Sequence, residues 1–236
     1  MATIDCAGQT TREINAALRS AIAGKDRDIV LQNTAAKHNL AVAVLEPVRI
    51  RCEGSVGYYC GGLIDGPAIE ITGSAGWGLA ESMMAGTVTV HGSAGNGAAA
   101  AMRGGVMVIH GDAASRLGVS MKGGLVLVSG NCGYMAGFMG QKGTMIVCGD
   151  TGEAFADSMY ATECFVGGRI GGLGTDAVVE IPSAEDVSRI ESALARYLSA
   201  EERRAKPAPR DFKKVVAGRK LWNFDQREWK IWQEAL

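Results

Sequence analysis

Pairs of apolar residues, two apart, recur along the chain: Ile69/Ile71, Val88/Val90, Met107/Ile109, Val126/Val128, Met145/Val147 and Cys164/Val166. That spacing is the strand period, which puts both side chains of a pair on one face. Each pair follows the last by nineteen residues, without insertion. Gly54, Gly73, Gly92, Gly111, Gly130, Gly149 and Gly168 keep the same interval. With each of these glycines as position 0, the apolar pair falls at positions 15 and 17. Position 3 is always small, from Gly57 to Gly152, and position 10 is methionine in Met83, Met102, Met121 and Met159. Position 13 is Gly86, Gly105, Gly124 and Gly143. An earlier unit ends on Ile50 and Cys52, and its opening corner, at Ala35, has lost the glycine.

A five-residue strand such as "TVTVH" (87–91) cannot bury its apolar face by itself. Stacked repeats can, if each strand pairs in parallel with its equivalent in the next unit, about 4.8 Å away. The pattern therefore predicts an all-β core, a single-stranded right-handed parallel β-helix of six to seven 19-residue turns. Positions 15 and 17 are expected to form inward ladders. The methionines at position 10 fill gaps from the opposite wall. The glycines serve corners that need positive φ or close backbone approach. A helical solenoid would not tolerate this much glycine, and a propeller needs about twice the period.

Helical caps are predicted at both ends. In residues 1–34, "TTREINAALRSAIAG" is amphipathic, with Thr10 and Glu13 as a capping box, Ile14, Leu18 and Ile22 as the stripe and Gly24 as the stop. A short strand, "DIVLQ", follows. Residues 35–180 form the β-helix, with "GGRIGGLGTD" (167–176) as the transition out of it. Residues 181–236 carry a second helix, opened by Ser183 or Ser188, with Val187, Ile190, Leu194 and Leu198 on one face. An extended linker, "AKPAPRD", precedes a tail bearing Trp222, Trp229 and Trp232. So aromatic a tail needs a surface, either this β-helix or another subunit. Enrichment of aromatics in interface cores favours the second.

Composition removes several classes of function. The net charge is −1, which gives no reason to expect a nucleic-acid partner or an anionic membrane. No apolar run reaches the length of a membrane span, and the first residues lack the pattern of a signal peptide. The six cysteines form no CxxC and are expected to be reduced thiols in a cytoplasmic protein.

Little in the sequence points to catalysis. "GSAGWG" and "GSAGNG" look like phosphate loops, but a strand rather than a helix N-terminus follows each. His91 and His110 share position 18 of adjacent turns and should stack about 5 Å apart. Their neighbours in that column, Thr72 and Ser129, complete no metal set, so the pair is expected to be an exposed ladder. His38 stands by itself in the sequence. Glu81 and Asp157 share position 8 but lie several turns apart, nearly 20 Å, too far for paired acid–base work. Arg103 and Lys122 share position 11 on neighbouring turns, with Lys142 beside the same line. Stacked like charges repel, so these face solvent or an acidic partner. No catalytic, cofactor-binding or metal-binding residue emerges. The candidate partner-interface residues are Arg103, Lys122, Lys142, Trp222, Trp229 and Trp232.

The units "GSAGWGLAESMMAGTVTVHG" and "GSAGNGAAAAMRGGVMVIHG", with "GSVGYYCGG" before them, resemble the glycine-repeat (GXGXG) C-terminal domain of the glutamate synthase large subunit, over roughly residues 30–180. That repeat is shared with the β-helical chain of formylmethanofuran dehydrogenase. The whole-chain layout, from "DCAGQTTREIN" through "VGYYCGG" and "SMMAGTVTV" to "GRKLWNF", resembles the stand-alone glycine-repeat chain of N-methylglutamate synthase (methylamine–glutamate N-methyltransferase). The resemblance implies a non-catalytic scaffold subunit, with amidotransferase-like and FMN-binding partner chains, the latter carrying iron–sulfur clusters in many members. It assigns no catalytic residue or cofactor to this chain. The chemistry implied for the complex exchanges the amino group of glutamate for methylamine. The same scaffold in a glutamate synthase, or in formylmethanofuran dehydrogenase, is the alternative.

Overall fold

The computed structural model describes residues 1–218. Its backbone forms one sheet wound into a coil. In chain order the elements are β1 (Ala2–Asp5), α1 (Thr11–Ala23), β2 (Asp28–Gln32), β3 (Arg49–Cys52), β4 (Asp65–Ile71), β5 (Ala85–Val90) and β6 (Val106–Ile109). Then follow β7 (Lys122–Val128), β8 (Lys142–Val147), β9 (Ala161–Val166), β10 (Ala177–Glu180), α2 (Ala184–Tyr197), α3 (Ala200–Arg204) and β11 (Lys213–Ala217). β1 to β9 pair in parallel in sequence order, and the nineteen-residue register holds from β3 to β9, as in Ile50↔Ile69, Val88↔Met107 and Met145↔Cys164. This is the parallel β-helix that the spacing predicts. Among the described residues no helix is long and apolar enough to cross a membrane.

The inward ladders are those expected. Every residue at positions 15 and 17 from Ile69/Ile71 to Cys164/Val166 is buried, as are Met83, Met102, Met121 and Met159. A second wall forms at position 2, where Val56, Ala75, Ala94, Ala113, Cys132, Thr151 and Ile170 are joined by successive parallel bridges.

The opening glycines from Gly73 onward keep ordinary φ and serve close approach instead. A Cβ on Gly92 would sit 2.8 Å from Gly73 O, and one on Gly130 would sit 2.7 Å from Gly111 O. Side chains at position 1 explain why the rungs come so close there. The Ser74 amide donates to Ser55 Oγ at 3.0 Å, and Ser93 to Ser74, Asp112 to Ser93, Asn131 to Asp112, Asp150 to Asn131 and Arg169 to Asp150 continue the series. Each such side chain satisfies a backbone donor of the next turn that the strand ladder does not reach. The corner itself turns through left-handed residues at positions 5, 7 and 9 of every unit from Gly54 to Ser158, many of them not glycine, including Tyr59 (φ +59°) and Ala154 (φ +53°).

Two expectations at the N-terminal end are adjusted. Asn39 N–H donates to Tyr58 O just as Tyr59 N–H donates to Trp77 O, which sets the first corner at Thr34 rather than Ala35, with one extra residue between Ala43 and Ile50. And β1, unremarked in the sequence, adds a strand beyond "DIVLQ". α1 has the predicted capping box and stripe. It seals the open end through Asn15, whose amide donates to Asn39 O (2.7 Å) and accepts from Ala41 N–H (3.0 Å).

At the other end the "GGRIGGLGTD" transition continues the coil for part of a turn, through the bridges Thr151↔Ile170 and Phe155↔Leu173. Ser183 caps α2. The linker is less extended than expected: α3 precedes it and a short 3-10 turn, Pro209–Asp211, lies inside it. Beyond it the chain returns to its own coil, since β11 lies antiparallel between β9 and β10, with Phe212 and Val215 buried. Trp222, Trp229 and Trp232 lie outside the described residues.

Candidate functional site

The even positions of each strand point outward, and they divide the outer face of the sheet in two. At position 16 and its equivalent in β3, Arg51, Glu70 and Thr89 give way to Val108, Leu127, Ile146 and Phe165. The apolar half is buried under α2, against Ile190, Ala193, Leu194 and Leu198, with Phe212 beside them. Four charges fasten that helix. Lys214 Nζ lies 2.6 Å from Glu163 and 3.1 Å from Asp186, and Arg189 Nη2 lies 2.9 Å from Glu163 and 2.5 Å from Asp186. Burial opposes ionisation of Asp186. The Ser183 backbone, Arg189 and Lys214 outweigh it and hold the carboxyl well below the usual carboxylate range.

Among the described residues the polar half is open. It carries a cavity of about 510 Å³ whose lining includes Arg49, Arg51, Glu70, Thr87, Thr89 and His91. Charges there pair across rungs, Arg49 with Asp28 and Arg51 with Glu70 at 2.7 Å.

His91 and His110 stand at the boundary, stacked with centroids 5.1 Å apart and planes 8° from parallel. The stacking follows the sequence, but the ladder is not fully exposed, since His110 is half-buried and each ring meets a carboxylate from outside the column. His91 Nε2 is 2.9 Å from Glu70 Oε1, and His110 Nδ1 is 2.5 Å from Glu202 Oε1 of α3. Partial burial opposes the shift of Glu202, yet the bonds to His110 and Ser199 lower its carboxyl to about 2. The two carboxylates serve opposite ends of the stack. Among the described residues no group of three or more His, Cys, Asp or Glu could hold a metal.

His38 is not by itself either. Its ring stacks on Tyr58 (4.5 Å), which stacks on Trp77 (5.3 Å), and its Nδ1 accepts from Tyr58 N–H at 2.9 Å. Tyr58 and Trp77 are about half exposed. All six cysteines are free and buried. Burial pushes the Cys132 thiol up to about 12 and Cys148 to about 11, which keeps both protonated and poorly nucleophilic. Arg103, Lys122 and Lys142 stand on successive rungs at one edge, with Lys122 and Lys142 paired in register. Lys122 Nζ donates to Ser120 O at 3.2 Å.

Fold and surface together define a capped parallel β-helix whose histidines and deepest-buried acid are engaged with its own side chains and backbone. No protein-family model matches the chain. Protein GlxC of Rhizobium meliloti (strain 1021) is 48% identical over 226 residues, covering 95% of this chain and 97% of that protein. The chain belongs to the GlxC family. Among solved structures, a chain of the formyltransferase/hydrolase complex FhcABCD from Methylorubrum extorquens, crystallised with methylofuran, matches with a TM-score of 0.64 and 26% identity over 75% of this chain and 69% of its own.

Proposed function

We propose that this chain is a non-catalytic scaffold subunit of a cytoplasmic, glutamate-synthase-like enzyme complex, and that the complex is N-methylglutamate synthase, converting methylamine and glutamate to N-methylglutamate and ammonia. An amidotransferase-like chain and an FMN-binding chain with iron–sulfur clusters carry the chemistry, and the β-helix fixes their relative position. The observation that carries the scaffold reading is the likeness, over 75% of the chain, to part of a crystallised multi-subunit enzyme complex. The half-open sheet face supports it. Among the described residues, α2 covers the outer face of β6–β9 and nothing covers that of β2–β5. The methylamine assignment rests on the sequence resemblance.

The test is purification of the tagged chain from its own cells, with identification of the chains that accompany it, flavin spectroscopy, and an assay of glutamate-dependent methylamine consumption. A flavin-containing complex active with methylamine supports the full reading. Activity with ammonia and 2-oxoglutarate instead moves the scaffold to a glutamate synthase. A chain purified as a monomer refutes it. A second reading, a scaffold for formyl-transfer enzymes as in formylmethanofuran dehydrogenase, is favoured by the methylofuran-bound neighbour. It requires formyl-transfer activity and no flavin.

A further inference from the structure

We infer that the edge formed by Arg103, Lys122 and Lys142 is the docking strip for an acidic, extended segment of a partner subunit, an inference that rests on the scaffold reading above. Elsewhere among the described residues, the charges that meet between neighbouring turns or strands are of opposite sign: Asp28 meets Arg49, Glu70 meets Arg51, Asp150 meets Arg169 and Glu163 meets Lys214. This edge is the exception. Three cations follow one another on adjacent rungs, about 4.8 Å apart; Lys122 and Lys142 meet in register, and the Lys122 ammonium donates to a backbone oxygen, Ser120 O, with no carboxylate beside it among the described residues. Like charges directly opposite one another in a sheet are destabilising, as at the Lys122↔Lys142 pair, so the arrangement calls for negative charge from beyond the described residues.

The local backbone keeps the strip clear. Residues beside the cations are Gly104, Gly105, Gly123, Gly124 and Gly143. A Cβ on Gly104 would strike Met84 O, and one on Gly123 would strike Arg103 O. Side chains are thus excluded there, and the cations stand beside bare backbone. In the same column Met84, 40% exposed, precedes Arg103. The strip therefore runs from an apolar end to a basic stretch. Its three rung spacings from Met84 to Lys142 give about 14 Å, the length of about four extended residues. An acidic stretch with one apolar side chain at its end fits it in both charge and length, with the carboxylates over the cations.

The experiment uses the complex purified from the native cells. Carbodiimide, which joins an ammonium to a carboxylate only when the two are in contact, is expected to link Lys122 or Lys142 to Asp or Glu of a co-purified chain, read by mass spectrometry. The triple variant Arg103→Glu, Lys122→Glu, Lys142→Glu is expected to raise the concentration at which the complex half-dissociates by about a hundredfold or more, because each attraction becomes a repulsion. Its melting curve should match that of the parent chain. Cross-links elsewhere on the chain but none from these lysines would overturn the inference, as would an unchanged half-dissociation point. So would loss of binding to phosphatidylserine vesicles with assembly intact, which would make the strip a membrane contact. Absence of any complex removes the scaffold reading itself, and this inference with it.

Discussion

Two glycines to alanine should behave in opposite ways, and the contrast tests why the coil is so rich in glycine. Gly124 has φ +82°, and a Cβ there would lie 2.7 Å from Gly105 O, the same oxygen that accepts the Leu125 N–H at 3.0 Å. The left-handed conformation costs an alanine about 1 kcal/mol. Displacing this acceptor, in a half-buried part of the sheet, from its ladder bond adds about 1–3 kcal/mol. The other close atom, Met102 Cε, is a flexible side-chain end and can move aside. Gly124→Ala should therefore lose about 2–4 kcal/mol of stability. Gly97 is also left-handed (φ +69°), but nothing lies within 4 Å of its Cβ position, and Ala154 occupies the equivalent site with φ +53°. In Gly97→Ala, strain of about 1 kcal/mol is offset by about 0.4–1 kcal/mol from the stiffer unfolded chain. Urea unfolding followed by circular dichroism measures both. Equal losses in the two variants would refute the idea that approach between rungs, rather than backbone freedom, selects glycine at position 13.

Three further predictions follow from the packing. Val126→Asp places a carboxylate at a fully buried ladder position and should cost several kcal/mol in thermal unfolding, whereas a neutral result would mean position 15 does not face inward. Asp186→Asn should loosen α2 and flatten the acid limb of stability. The folded carboxyl is depressed, so its contribution is full above the unfolded value of about 3.9 and is lost as pH falls below it; an unaltered acid limb would count against this. Deleting residues 212–236 removes β11 from between β9 and β10 and should impair folding, whereas deleting 219–236 keeps β11 and should leave a folded chain that fails to assemble if the tryptophans serve a partner.

The coil was legible because its signal repeats. Positions 15 and 17 are apolar in unit after unit, and no competing period fits Ile69 to Val166. The second helix was legible from its apolar stripe, but its place on the coil was not read, although the sequence carries a signal for it. The switch at position 16 from Glu70 and Thr89 to Val108, Leu127, Ile146 and Phe165 marks where the outer face must be covered, and α2 lies there. β11 was hidden by "AKPAPRD", whose prolines look like an exit from the fold although the chain turns back. The carboxylate on His110 was not visible, because Glu202 lies 92 residues away and nothing in the repeat points to it. Likewise the stack of His38 on Tyr58 depends on where the irregular first turn closes.

The column running from Ser55 to Asp150 has a direction. Each acceptor belongs to the earlier turn and each amide to the later one. A turn leaving the ribosome thus meets acceptors already set out by its predecessor, whereas a turn without one has its amides unanswered. Such a coil is suited to grow one way, from the N-terminal helix onward, as synthesis proceeds. The last amide in the series, that of Arg169, ends the column in the final partial turn, the end that β11 later returns to seal.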